Sequence, residues 1–343
     1  MTRNKLIGLV TAGILATTMT GLAPAANAAT LTGAGSTLVS QLMAKWTADY
    51  KATYGVQVNY GAVGSGAGIS NITARSVDFG ASDAPMTAAQ AAACNNCILI
   101  PWGLSAIGIT YNIPGIRVVT LSGPVIGNIY LGRVKFWDDA SIKRLNPRTH
   151  LPHLAITPVF RSDGSGTTFG FTNYLSQVMP PWARIVGNAT KVNFPVGVGG
   201  KGSAGVTAIV GSTVGSIGYV ETSFAITHGL TVAGVLNKAR KVIYPNLKNI
   251  AAAASSVRSV PAESVLETSG LSIVDPPASN KIAYPISTFT YAIVPQSSPQ
   301  ASLVTSFVNY AVTVGQAFGP VLDFQPLPKV VANYAIAQLG SIH

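Results

Sequence analysis

The sequence predicts an α/β protein. Short β-branched and aromatic runs alternate with segments of helical period, glycine-hydroxyl turns join strand to helix, and no fixed-period repeat is visible in the 343 residues. Strands alternating with helices bury their apolar faces as a sheet covered by helices, and the length suffices for two domains.

The first 28 residues stand apart from the fold. Arg3 and Lys5 precede an apolar run over residues 6–19, and Ala26-Asn27-Ala28 offers small residues for cleavage, the pattern of a secretory signal. The mature chain is therefore expected in the periplasm or another extracytoplasmic space. No cysteine follows the run where a bacterial lipid anchor attaches, and no later stretch of about 20 apolar residues could span a membrane.

Residues 29–32 read as a strand leading into Gly33-Ala34-Gly35-Ser36-Thr37. Val39, Leu42, Met43, Trp46 and Tyr50 then fall at helical spacing, with Ser36 or Thr37 placed to cap the helix. Residues 56–60 alternate as a second strand and enter Gly64-Ser65-Gly66-Ala67-Gly68, after which Ile69, Ile72 and Thr73 share a helix face. Residues 77–86 form a strand ending in an exposed acidic turn at Asp83. The apolar runs 104–111 and 284–294 suit strands that cross between lobes.

Between those runs, residues 121–130 give a strand and a short helix, 156–160 a strand delivering Arg161, and 192–198 a strand ending in Gly199-Gly200-Lys201-Gly202-Ser203. Residues 206–209 begin a helix and 217–221 are a strand. Residues 251–261, rich in Ala and Ser, suit a solvent-facing helix or loop, and 301–318 and 328–339 are helical by period.

Charged residues make up only 10% of the chain, against roughly 25% in ordinary domains. With 22 Lys and Arg against 11 Asp and Glu, the formal net charge is +11, or +9 without the first 28 residues. Scarcity of carboxylates, not a basic stripe, sets that balance. The nearest basic block, Lys238-Ala239-Arg240-Lys241, is too short for a nucleic-acid footprint, so no nucleic-acid partner is expected. A surface poor in carboxylates suits an acidic habitat. The only cysteines form Cys94-Asn95-Asn96-Cys97. A C-x-x-C can be redox-active or half a metal site, but export and the lack of a second pair favour a small disulfide loop.

Chemistry concentrates in Arg161-Ser162-Asp163-Gly164-Ser165-Gly166-Thr167-Thr168-Phe169. Arg161 carries a rigid fork of donors suited to an oxyanion, and Gly164 and Gly166 let backbone N–H groups converge. Ser165 or Thr167 can cap a helix on which Phe171, Leu175 and Val178 recur, and such an N-terminus favours negative charge. The turns at 33–37 and 64–68 share this recipe of strand, glycine with Ser or Thr, and helix. None has the spacing of a Walker loop.

Asp83 is the exception, since a carboxylate repels an anion unless the anion carries a proton for it to accept. Hydrogen phosphate does; sulfate at neutral pH does not, and would meet Asp83 lone pair to lone pair. The alternative is a plain turn residue before Pro85. Asp163 is placed to pair with Arg161, or else lies in a solvated surface pair. The four histidines, His150, His153, His228 and His343, do not form a convergent metal set, so no metal or other cofactor is expected. Ser165 lacks a His/Asp relay.

These residues resemble the extracytoplasmic phosphate-binding protein of the high-affinity bacterial phosphate ABC transporter. The likeness runs through the turns at 33–37 and 64–65, the segment 77–85, Ile129-Tyr130-Leu131-Gly132, Phe136-Trp137-Asp138-Asp139, residues 161–169, 199–202 and Gly218-Tyr219-Val220-Glu221. It implies a two-lobed class II periplasmic-binding-protein fold with the ligand cleft between lobes: residues 29–109 and 285–343 in one, 110–284 in the other. It further implies phosphate contacts from Thr37, the Leu38 N–H, Ser65 and Asp83 on one side and from Arg161, Ser165, Gly166 and Thr167 on the other. Leu38 stands where the family usually has Phe, and the second turn departs from the commoner serine and glycine pair. The implied partners are inorganic phosphate and a membrane permease, and a monomer that is not an enzyme is expected. A secreted phosphatase is the rival class, disfavoured because the acids and histidines are scattered. Arsenate, protonated like phosphate, is not separated by this logic.

Overall fold

A computed structural model describes residues 29–260 and 271–343; the signal segment lies outside them. The first half of the fold is built from β1 (Thr30–Gly35), α1 (Ser40–Tyr54), β2 (Gln57–Gly61), α2 (Ser65–Thr73), β3 (Phe79–Ser82) and α3 (Ala88–Cys94). In α1 the predicted stripe Leu42, Met43, Trp46 and Tyr50 is buried. Its N-cap is Val39, with no side-chain cap bond, instead of the expected Ser36 or Thr37, because both hydroxyls are engaged elsewhere.

Strand β4 (Cys97–Tyr111) follows, and then β5 (Thr120–Ser122), α4 (Gly123–Tyr130), α5 (Ala140–Lys143), β6 (Thr157–Arg161), α6 (Gly166–Val178) and α7 (Pro180–Ile185). Next come β7 (Val198–Gly200), α8 (Gly202–Ser212), β8 (Ser216–Glu221), α9 (Thr222–Thr227), β9 (Thr231–Val232), β10 (Gly234–Leu236), β11 (Val242–Ile243) and α10 (Leu247–Ala254). The chain returns through β12 (Ser287–Pro295), α11 (Ala301–Val312), two 3₁₀ turns and α12 (Lys329–Leu339). Of the predicted strand 192–198 only Val198 pairs, as the first residue of the three-residue β7. Pro195 has no N–H to give a ladder, and Phe194 instead stacks on Phe160 at 4.6 Å. Helix α10 turns Ile250, Ala253 and Ala254 inward, so it is not wholly solvent-facing.

One nine-stranded sheet runs β2-β1-β3-β12-β4-β8-β6-β7, with β9 also on β4. The long strand β4 joins its two halves. Residues 97–106 pair antiparallel with β12, and residues 107–111 pair antiparallel with β8. On one side of this change β1 lies parallel between β2 and β3; on the other β6 lies parallel to β7 and β8. Across the antiparallel β12 and β4, strands β6 and β8 run opposite to β1 and β3, so the carboxyl ends of β1 and β3 point toward that of β6 and the turns after them meet where the two halves join. Trp46, Phe79 and Trp102 fill the core under the first half by edge contacts at 5.5 and 5.9 Å. Tyr219 and Phe171, stacked at 4.1 Å, anchor the second.

Candidate anion-binding site

Asp83 lies where those turns converge, and it is 3% exposed. The exposed turn expected from sequence is thus a buried one, covered by β12 and the head of α6. Ser36 Oγ donates to Asp83 Oδ1 at 2.5 Å. Ser65, the first residue of α2, accepts the Asp83 N–H at 3.2 Å and reaches Oδ2 at 3.5 Å. Burial pushes the Asp83 carboxyl up to about 6, opposed by hydrogen bonds from Ser36, Thr290 and Ser65 and by the Arg161 charge. A Cβ on Gly166 would lie 2.6 Å from Asp83 Cβ and 2.7 Å from Oδ2. Only glycine lets the head of α6 rest against the acidic turn.

Arg161 ends β6 with its side chain 1% exposed. Its Nε donates to Asp163 Oδ1 at 2.8 Å and its Nη2 to Oδ2 at 2.5 Å, the planar two-point pairing that a guanidinium favours. Burial works against the Asp163 charge, but the Arg161 pairing and the Gly202 N–H outweigh it and hold the carboxyl below its usual range. Tyr219 steadies the turn from behind, accepting the Arg161 N–H at 3.1 Å and pairing with Thr168 Oγ1 at 2.7 Å. The third guanidinium nitrogen, Nη1, is buried without a hydrogen-bond partner in the chain, and so is Thr167 Oγ1.

Ser165 caps α6, its Oγ accepting the Thr168 N–H at 3.1 Å, which leaves its own hydrogen to donate. Gly166 and Thr167 follow as the first helical residues, whose N–H groups have no carbonyl one turn earlier to bind. The site therefore offers donors from Arg161, Ser165, Gly166 and Thr167 close to one buried carboxylate. Arg161 is already balanced by Asp163, so dipoles and hydrogen bonds, not net positive charge, must hold an anion there.

The two halves touch around this point. Gly66 N–H donates to the Gly164 carbonyl at 2.9 Å, Thr37 Oγ1 pairs with Ser203 Oγ at 2.9 Å, and Gln41 Nε2 donates to Thr227 Oγ1 at 3.0 Å. Gly64, at φ +95°, passes where a Cβ would sit 2.4 Å from Asp163 Oδ2.

Ser65, Asp83, Arg161, Asp163, Ser165, Gly166 and Thr167 come together as the sequence suggests. Thr37 and Leu38 lie beside them but are occupied: Thr37 by Ser203, and the Leu38 N–H by Ser36 Oγ at 3.0 Å. Sequence reasoning missed the bonding of Ser36, Ser203 and Tyr219 in the site. Their partners lie 47, 166 and 58 residues away, and no local pattern marks them.

Away from the site, Cys94 and Cys97 are bonded as a disulfide. The Arg75 guanidinium lies 3.4 to 3.5 Å from both sulfurs and donates to the carbonyls of Ile72, Cys94 and Asn95. Among the described residues, no three His, Cys, Asp or Glu side chains are placed to hold a metal, and no helix is long and apolar enough to cross a membrane.

Comparison with known proteins follows the same lines. Residues 21–314 match the model of the PBP superfamily domain. The phosphate-binding protein PstS of Pasteurella multocida is 36% identical over 330 residues, covering 95% of this chain and 94% of the relative. That of Methanocaldococcus jannaschii is 36% identical over 305 residues, covering 82% and 78%. Among solved structures, the high-affinity periplasmic phosphate-binding protein PfluDING, bound with phosphate, superposes with a TM-score of 0.72 at 22% identity, covering 90% of this chain and 93% of its own. The phosphate-binding protein of Stenotrophomonas maltophilia does so at 0.68 and 19%, covering 90% and 94%. Matched along nearly its whole length by a superfamily model and by relatives above 30% identity, this chain belongs to the phosphate-binding proteins of the PBP superfamily.

Proposed function

We propose that the chain captures inorganic phosphate in the cleft between two lobes and delivers it to the permease of an ABC importer, without catalysing a reaction. The observation that carries this is the pair of buried, unpartnered donors, Arg161 Nη1 and Thr167 Oγ1, next to a buried carboxylate. Unpaired donors of that kind cost about 1 to 3 kcal/mol each in the absence of an acceptor, and a tetrahedral oxyanion supplies one. Asp83 then accepts the proton that phosphate carries and sulfate lacks. Thr37, Leu38, Ser65, Ser165 and Gly166 complete the proposed contacts, with Asp163 fixing the guanidinium.

Residues 29–109 and 285–343 form one lobe in this reading and residues 110–284 the other. The change of partner along β4 after residue 106 supports that division. Donors on both sides favour the closed form when phosphate is bound, and the permease senses closure. The family role and the signal-like start support an exported, extracytoplasmic protein; a monomer is sufficient for this role.

Calorimetry of the purified mature chain with phosphate and with sulfate, at two pH values, tests the proposal. Tight phosphate binding with little sulfate binding is expected, and Asp83→Asn should lose the discrimination. Equal affinity of the unaltered chain for both anions would defeat it.

A further inference from the structure

Ser36 is fully buried and stands between two groups of fixed character. The Leu38 N–H can only donate, and it does so to Ser36 Oγ at 3.0 Å. On the far side, Ser36 Oγ lies 2.5 Å from Asp83 Oδ1, an oxygen that accepts when the carboxyl is ionised. The serine hydrogen is thereby directed at Oδ1. The other oxygen, Oδ2, is the one turned toward Gly166, the first residue of α6 and the neighbour of Thr167.

We propose that Ser36 is the positioning residue for Asp83: it occupies Oδ1, keeps the carboxylate ionised, and leaves Oδ2 as the single acceptor for the ligand's proton. The inference rests on the phosphate reading above and deepens it. A carboxyl that became protonated would turn from an acceptor into a donor, and a donor welcomes sulfate. Of the hydroxyls that oppose burial of Asp83, Ser36 acts most strongly: Thr290 contributes less and also reaches the Ser82 carbonyl, and Ser65 reaches Oδ2 only at 3.5 Å. Among the titratable neighbours, Tyr60 on β2 and Tyr291 on β12 are buried phenols pushed further up by the Asp83 charge, and Arg161, with its partner Asp163 beyond it, is the one that acts on Asp83 through charge. The hydrogen bond from Ser36 counters burial of the carboxyl in the same direction.

The test is a mutant cycle read by calorimetry with inorganic phosphate and sulfate across pH 5 to 8.5, roughly the range about a carboxyl held near 6, using the mature chain, Ser36→Ala, Asp83→Asn and the double variant. Ser36→Ala should lower the preference for phosphate over sulfate about tenfold, the worth of one charge-assisted hydrogen bond. It should also move the acid limb of the phosphate profile to higher pH. In the Asp83→Asn background, Ser36→Ala should change the preference no further, because its only route is through the carboxylate. An unchanged preference and acid limb in Ser36→Ala, or effects that multiply in the double variant, would overturn the role of Ser36 while leaving phosphate capture intact. Failure of the unaltered chain to prefer phosphate would remove both, and circular dichroism of each variant separates these outcomes from misfolding.

Discussion

At the scale of single residues, the site depends on what is missing as much as on what is present. Gly166 lies so close to Asp83 that any side chain collides with the acidic turn. Gly166→Ala should therefore lower the melting temperature of the ligand-free chain, in line with the roughly 1 to 3 kcal/mol that overpacking costs, and weaken phosphate binding at least about tenfold. Titration calorimetry and a thermal melt check the two halves of that statement. Arg161, Asp163, Asp83 and Ser165 were legible in the sequence because glycine, hydroxyl and charge crowd into short turns. Ser36 was legible as a cap residue only, and Thr37 as a cap or, by resemblance, a phosphate contact; the structure gives their hydroxyls to Asp83 and Ser203. A local pattern names the donors available to a turn, but the acceptor is chosen by whichever distant segment packs against it.

At the scale of elements, periodicity placed the longer helices and most of the main strands, since an apolar stripe must face a core whatever the topology, and it missed the short helices α3, α5, α7 and α9, of seven residues or fewer. It failed at residues 192–197, where alternation came from Phe194 packing among aromatic rings and not from a ladder. The sequence reading of Cys94 and Cys97 as a disulfide loop holds. The disulfide closes the step from α3 into β4, and Arg75 ties both to the end of α2. Replacing both cysteines by alanine should cost about 2 kcal/mol or less, the chain-entropy worth of so short a loop, with phosphate affinity unchanged. Denaturant unfolding measures the first and calorimetry the second. A change in affinity would mean that the strain travels along α2 to Ser65.

At the scale of the whole molecule, two buried carboxyls govern how stability responds to pH. Glu221 sits at the end of β8, accepting from Ser105 Oγ at 2.5 Å and from the Ser223 N–H at 2.9 Å, close to where β4 changes partners. Burial pushes it up to about 7, opposed by those bonds, and pushes Asp83 up to about 6. A carboxyl whose folded value lies above its unfolded one binds more protons when folded, so its contribution is complete in acid and lost as pH rises through the folded value. For Glu221 that window runs from 4.5 to about 7, and for Asp83 from 3.8 to about 6. The ligand-free chain should melt higher near pH 5 than near pH 8, by an amount on the order of a few kcal/mol. Glu221→Gln should flatten the difference, as thermal melts in a pH series would reveal. Such a profile agrees with the acidic habitat that the carboxylate-poor composition suggests.

The pairing of Arg161 with Asp163 also decides how the molecule behaves in brine. Because the guanidinium arrives already neutralised and is 1% exposed, dissolved sodium and chloride have little left to screen. Phosphate affinity measured in dilute buffer and in sea-strength salt should differ far less than for a pocket that relies on bare cationic side chains, so scavenging at trace concentration would survive changes in salinity.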